Sequence, residues 1–335
     1  MADAYGRKRS CAHTNEHEDT HSAPTSANSR GRRVRGSADG RPRRKRCVER
    51  QGSCTRRFCR ARANAYGAPV RDSLFASWLQ EEATPFTGWD FSHLSGRWHE
   101  EHPPWSYEDL ARESLHGARS AVDLGTGGGE RLSRLADAFP ARMFATEAYE
   151  ANVPLARERL GPLGVTVLPY RSEDLVGGPL PFDDASLDLV LDRHESYDAR
   201  EVARVLAPGG RFLTQQVDGE SLADLLGLFR AMPAVPEVKL DRFVADATGA
   251  GLSIERAEQW WGNSTFSDVG AIVYYLKAIP WSVPGFSVAT HAPVLRELQR
   301  RLERDEPLQF RAGRFLIVAR KGGSVRPGSV LRSRR

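Results

Sequence analysis

The sequence predicts an α/β fold built on a doubly wound parallel sheet, and two features carry that prediction. From Arg119 onward, strand-length apolar runs alternate with helix-length amphipathic ones, as in a parallel sheet covered on both faces. The first of these strands runs straight into a glycine-rich turn, Gly125-Thr126-Gly127-Gly128-Gly129, and then into a helix, the opening unit of Rossmann-like folds. A chain of 335 residues with 40% hydrophobic content can bury one such domain and carry appendages.

Ala121–Leu124 reads as strand one, and the helix after it shows Leu132, Leu135, Ala136 and Phe139 on one face. Met143–Thr146 is strand two, Val153 to Leu160 the next helix, and Val165–Leu168 a short third strand. Leu187–Leu191 is the fourth; Val202, Val205 and Leu206 mark the helix behind it, which Pro208-Gly209-Gly210 is expected to stop. Arg211–Val217 is the fifth strand, followed by Ser253–Ala257, helices near 266–278 and 292–303, and a final strand Phe315–Ala319. Upstream, Leu74, Phe75, Trp78 and Leu79 recur at helical spacing, and Tyr107 to Leu115 is a second helix. The Trp/His/Pro-rich stretch between them, Gly88 to Trp105, reads as ordered loop.

The charge is unevenly placed. Residues 1–66 hold 17 of the 48 Lys+Arg and 6 of the 43 Asp+Glu, a balance of +11, which leaves −6 for residues 67–335. The pI of 9.2 therefore describes a tail, and a nucleic-acid surface on the folded body is not implied. Residues 1–66 lack hydrophobic periodicity and contain the run Arg41-Pro42-Arg43-Arg44-Lys45-Arg46, so disorder is expected. They read as a solvated extension or the product of an upstream start codon, with a basic arm for RNA as the functional alternative. Cys11, Cys47, Cys54 and Cys59 all lie in this segment, at spacings that match no common zinc pattern. Residues 67–335 contain no thiol, no signal peptide opens the chain, and no apolar run spans a membrane, so a cytoplasmic location is expected. The expected divisions are a disordered Arg-rich extension at 1–66, a helical and loop lid at 67–118, the α/β domain at 119–320 and a basic tail at 321–335.

The turn after strand one narrows the ligand. A dinucleotide fingerprint wants its third glycine where Glu130 stands, and an anion there opposes a pyrophosphate. Asp123, two residues before Gly125, suits a cationic ligand such as a methionine ammonium or sulfonium. Glu147, directly after strand two, is placed to accept both ribose hydroxyls, or to stand as an acid at the helix that starts near Asn152.

Asp123-x-Gly125-x-Gly127-x-Gly129, Glu147, the block Leu180-Pro181-Phe182-Asp183-Asp184-Ala185-Ser186-Leu187-Asp188-Leu189-Val190 and the block from Glu201 to Leu213 together resemble the class I S-adenosylmethionine-dependent methyltransferases. The likeness is closest to the type 11 methyltransferase domain and covers about residues 119–217 in the family's order. It implies a seven-stranded sheet whose last strand is antiparallel, a place Phe315–Ala319 can supply. It also implies that the Gly125–Gly129 turn, with Asp123 and Thr126, holds the methionine portion of S-adenosyl-L-methionine, and Glu147 the ribose. The segment after strand three would hold the adenine. Arg171 stands there where the family usually has an acid, so Glu173 or Asp174 is expected to replace it.

The acceptor pocket is expected beyond the carboxyl ends of strands four and five. Strand four ends in Asp192-Arg193-His194-Glu195, and strand five in Gln215-Gln216-Val217. His194 is the candidate general base; Asp192, also a candidate donor-binding residue, Arg193 and Glu195 are placed to orient it or bind a polar substrate. The other reading is a loop whose His and Arg cap backbone groups. No Asn-Pro-Pro-Tyr-like segment follows strand four, which opposes adenine or glutamine amine methylation. The absence of cysteine from the domain excludes a covalent cytosine mechanism. No metal is required. Trp78, Trp89, Trp98 and Trp105 precede the core and Trp260, Trp261 and Trp281 follow its first five strands, as an aromatic lid or as glue for appendages.

The expected activity is methyl transfer to an O or N atom of a small molecule. The rivals are an RNA methyltransferase using the basic arm, and a non-catalytic cofactor-binding module or an oxidoreductase. The acidic body favours the first, because a phosphate track needs Lys and Arg on the folded surface.

Overall fold

The computed structural model describes residues 68–170 and 179–322. The extension over 1–66 and the tail from residue 323 lie outside the described residues. In chain order, α1 (Ala68–Ala83), a short strand β1 (Trp98–Glu100) and α2 (Tyr107–His116) precede β2 (Ser120–Leu124). A 3-10 helix over Leu132–Ala138 leads to β3 (Arg142–Glu147), α3 (Asn152–Leu160) and β4 (Val165–Pro169). Then come β5 (Leu187–Arg193), α4 (Ala199–Val205), β6 (Leu206–Val217), α5 (Ala223–Leu228) and α6 (Leu240–Gly249). β7 (Leu252–Phe266), α7 (Val269–Ala278), α8 (Val288–Glu303) and β8 (Leu308–Lys321) complete the described residues.

All eight strands form one sheet in the order β1-β7-β8-β6-β5-β2-β3-β4. β4, β3, β2, β5 and β6 are parallel, and β8 inserts antiparallel between β6 and β7. Strand direction alternates side chains between faces, and both faces are covered. Ala121, Leu189, Leu191 and Leu213 pack against α2, α3 and the 3-10 helix; Val122, Val190, Phe212 and Ile317 pack against α4 and α6. A third cluster joins Trp78 of α1 to α5, α7, α8 and the far ends of β7 and β8. Among the described residues no helix is long and apolar enough to cross a membrane.

Four expectations from the sequence need correction. The sheet has eight strands, because Trp98–Glu100, read as loop, pairs antiparallel with Ser264–Phe266 at the edge. β7 and β8 run for 15 and 14 residues; the polar and aromatic run Gln259 to Thr265 hides the alternation from which a strand is read. The segment after the glycine turn is a 3-10 helix, so it buries Leu132, Leu135 and Ala138 at intervals of three, not Ala136 with Phe139. α4 stops at Val205; Leu206 is already extended, and Pro208-Gly209-Gly210 opens β6 through a register shift against β5. Residues before proline favour extended backbone, so the chain leaves the helix ahead of Pro208.

The expected lid segment divides between two places. α2 covers the sheet, with Ala111 and Leu115 buried, whereas α1 belongs to the third cluster. Arg97 ties α1 to α7: it pairs with Glu81 at 2.8 Å and forks onto Asp268, which also caps α7 by accepting the Ala271 N–H. Trp78→Ala is predicted to lower stability by about 3–5 kcal/mol in denaturant titration, the cost of emptying a large buried site. A loss below about 1 kcal/mol would show that α1 is not part of this core.

Candidate active site

The site forms where β2, β3, β5 and β6 end. Gly125 and Gly127 both adopt left-handed backbone, φ +62° and +64°, which a side chain makes costly. Space is short as well: a Cβ on Gly125 would overlap the Glu195 carboxylate, and one on Gly127 would lie 2.9 Å from Trp89 Cδ1. Gly129 lacks a side chain for packing, since a Cβ there would meet Leu160 of α3 at 2.7 Å. The turn is fastened to the end of β3. Gly127 N–H donates to Glu147 Oε2 at 2.6 Å, Tyr149 N–H donates to Glu147 Oε1 at 2.8 Å, and Thr126 N–H donates to Thr146 O at 2.9 Å. Glu130 turns aside and pairs with Arg159 of α3 at 2.7 Å.

Three carboxyl groups face this turn, and burial is the main force on each. It raises Asp123 to about 7, against help from Thr126 and Arg193 and with added repulsion from Glu147. Glu195 rises to about 7 by burial and then by repulsion from Glu147. Glu147 also rises by burial, although the N–H groups of Tyr149 and Gly127 favour its charged form. Leu124, Gly125, Thr146, Ala148, Tyr170 and Glu195 line a narrow cleft beside them. Such a site suits a ligand that is positive at one end and offers hydroxyl donors at the other.

Asp192 does not join this group. In the sheet it is level with Leu124 and Thr214, on the face opposite Asp123, and it is fully buried. Its Oδ1 accepts from Gln216 Nε2 at 2.9 Å and from Glu195 N–H at 3.2 Å, so it braces the loop that carries Glu195. The contacts of its Oδ1 are those of a positioning residue. The expected adenine acids Glu173 and Asp174 lie outside the described residues.

Toward β6, the polar groups change sign. Arg193 is level with Gln215 at the end of β5, and His194 follows in left-handed backbone at φ +69°. For a non-glycine residue that conformation costs on the order of 1–2 kcal/mol, held here by the His194 N–H bond to Gln215 O at 2.9 Å. Trp105 Nε1–H donates to Gln215 Oε1 at 2.8 Å, and an indole N–H can only donate. That fixes which end of the Gln215 amide is oxygen. Its Nε2 lies 3.2 Å from His194 Nε2, so Gln215 donates and the imidazole accepts. His194 is consequently neutral with its proton on Nδ1. Burial, then Arg193, Arg314 and Arg131, push its pKa well below the usual histidine range. The lone pair expected to serve as general base is already occupied. Neither the Gln215 brace nor its Trp105 anchor was foreseen from the sequence; their only signal is a buried glutamine ending an apolar strand.

Residues 122–214, from β2 through most of β6, match the family model described as a methyltransferase domain. The chain carries a methyltransferase domain. The match takes in the glycine turn, Glu147, Asp192 and His194, while α1, α2 and everything after Thr214 lie outside it. No curated protein matches the sequence. The chain is similar to the solved YcgJ protein from Bacillus subtilis, at 19% identity, with 64% of this chain and 98% of that one covered and a TM-score of 0.46. It is also similar to an S-adenosylmethionine dependent methyltransferase from Mesorhizobium loti, at 17% identity, 64% and 98% coverage and a TM-score of 0.39.

The tryptophans around the methyltransferase domain divide by task. Trp78 is core, and Trp98 sits 5.5 Å from Phe91 and 5.2 Å from Tyr275, ring centre to ring centre. Trp89, which covers Gly127, meets Trp281 at 6.0 Å, so the two flanking regions join directly over the turn. In 15N-resolved NMR, His194 is predicted to stay neutral from pH 8 down through the ordinary histidine pKa of about 6.5, with Nδ1 protonated. A proton on Nε2, or titration at or above that pKa, would contradict the hydrogen-bond assignment.

Proposed function

We propose that this protein transfers a methyl group from S-adenosylmethionine to an O or N atom of a small molecule. The observation that carries the reading is the set of carboxyls, Glu147 buried and Asp123 and Glu195 half-buried, converging on a glycine turn that leaves no room for a side chain. The residues present fit such a donor: Gly125 and Gly127 permit close approach, Asp123 and Glu195 complement positive charge, and Glu147 is placed to accept ribose hydroxyls. When bound, the donor supplies a methyl on a positively charged sulfur, open to displacement by a lone pair. The protein's own part is alignment of the acceptor and exclusion of water, for which Trp89 and Trp281 over the turn are suited. The thiol-free body supports a cytoplasmic setting, and its acidic balance supports a small acceptor over RNA.

Calorimetry is expected to show S-adenosylhomocysteine binding and no binding of NAD or NADP, with Gly127→Val abolishing it. Tight binding of NADH by the wild type would instead favour the oxidoreductase reading. Because Gln215 occupies the His194 lone pair, His194→Ala is predicted to leave donor affinity intact and to lower turnover by less than about tenfold. A general base is worth about a hundredfold or more; a loss of that size, with a rate that falls as the imidazole takes up a proton, would restore the base role.

A further inference from the structure

We propose that Arg193, the Tyr107 hydroxyl and the His194 Nδ1–H form a subsite for an anionic group, a carboxylate or a phosphate, on the methyl acceptor. The proposal rests on the methyltransferase reading above and names the chemical class of its substrate.

Arg193, at the end of β5, feels two other arginines: Arg131, just ahead of the 3-10 helix, and Arg314, in the middle of β8. Two have carboxylate partners, Arg131 with Glu108 at 3.0 Å and Arg314 with Glu100 at 2.5 Å. Arg193 has none. Among the described residues its side chain makes no hydrogen bond and no ion pair, although it is half-buried. Asp123 feels its charge but does not come within ion-pair distance. Burial and the two neighbouring arginines push the Arg193 pKa down to about 9, as expected of a cation held near other cations with no carboxylate in contact.

The groups around it are donors in surplus. The Tyr107 hydroxyl, from the first residue of α2, is buried without a hydrogen-bond partner, and Arg193 and Tyr107 act on each other's protonation. His194 accepts through Nε2, so its remaining ring nitrogen is a donor, and no described residue accepts from it. A guanidinium, a phenol and an imidazole N–H without acceptors are complemented by a group that only accepts, and charge-assisted bonds make a carboxylate or phosphate the strong match.

Arg193 stands between the glycine turn and β6: the pairing of Asp192 with Leu124 brings it beside the start of the turn, and it is level with Gln215 of β6 and in the field of Arg314 on β8. We assign the anion to the acceptor, entering from the β6 side, and the test below separates it from the amino-acid carboxylate of the donor. An anion bound there would face a cationic methyl held against Asp123 and Glu195, so the two charges would orient the acceptor toward the donor.

The test uses the full chain, alone and saturated with S-adenosylhomocysteine, titrated with benzoate and with inorganic phosphate. One of these anions is expected to bind the wild type, to weaken at least about tenfold in Arg193→Met and several-fold in Tyr107→Phe, and to be partly restored in Arg193→Lys. S-adenosylhomocysteine affinity should stay within about twofold in all three. Arg193→Met removes an uncompensated charge, so its melting temperature should hold or rise; should it fail to fold, the Lys and Phe variants carry the comparison. Absence of anion binding by the wild type, or binding unchanged by these variants, overturns the subsite. Loss of S-adenosylhomocysteine affinity in Arg193→Met, with 5′-methylthioadenosine affinity kept, assigns the arginine to the donor carboxylate and overturns the acceptor assignment. Failure of S-adenosylhomocysteine to bind the wild type removes the methyltransferase reading, and the titration without it still reports on the anion subsite.

Discussion

Carboxyl groups resist burial unless hydrogen bonds or opposite charge compensate them, and this protein gathers three around one glycine turn. Glu147 is the pivot. By accepting from the Gly127 and Tyr149 N–H groups, it binds the end of β3 to the turn that leaves β2, and so fixes the backbone that a ligand would touch. Its charge then weighs on Asp123 and Glu195, which burial has already driven toward protonation at neutral pH. The arrangement is uncomfortable for the protein alone and relieved by a cation.

The sheet order gives that discomfort a direction. Placing β5 beside β2 and β6 beside β5 sets the carboxyls near the β2 turn and Arg314 toward β8, with Arg193 between them. Asp192 belongs to neither group, because strand alternation turns it to the opposite face, where it braces the Glu195 loop through Gln216 and the Glu195 N–H. The left-handed backbone at His194 and the close approach of Glu195 to Gly125, which leaves no space for a Cβ, mark the same short loop from two sides. One short segment thus presents an acid, Glu195, to the turn and a cation, Arg193, beside it.

Much of this was legible in the sequence because it depends on local pattern. The parallel core from β2 to β6, the glycine turn and the placing of Glu147 after the second of those strands follow from alternating apolar runs and a few spacings. What escaped was set by distant partners. Trp98–Glu100 becomes a strand only because β7 continues to Phe266, and that continuation is polar and aromatic. Asp192 and Asp123 look alike in sequence and are separated by the sheet's two faces. The His194 lone pair is lost to Gln215, whose amide is oriented by Trp105, 110 residues away in the chain. No local pattern announces such a chain of contacts.

The central claim, that half-buried and partly protonated carboxyls await a cationic donor, is tested most directly by proton release. Calorimetric titration of S-adenosylmethionine at pH 7, repeated in buffers of different ionisation enthalpy, counts the protons exchanged. With Asp123 and Glu195 both at about 7, each is near half-protonated in the free protein. A bound cation lowers both pKa values, so a net release approaching roughly one proton per site is predicted. A binding heat that does not depend on the buffer, or a net uptake of protons, would contradict it.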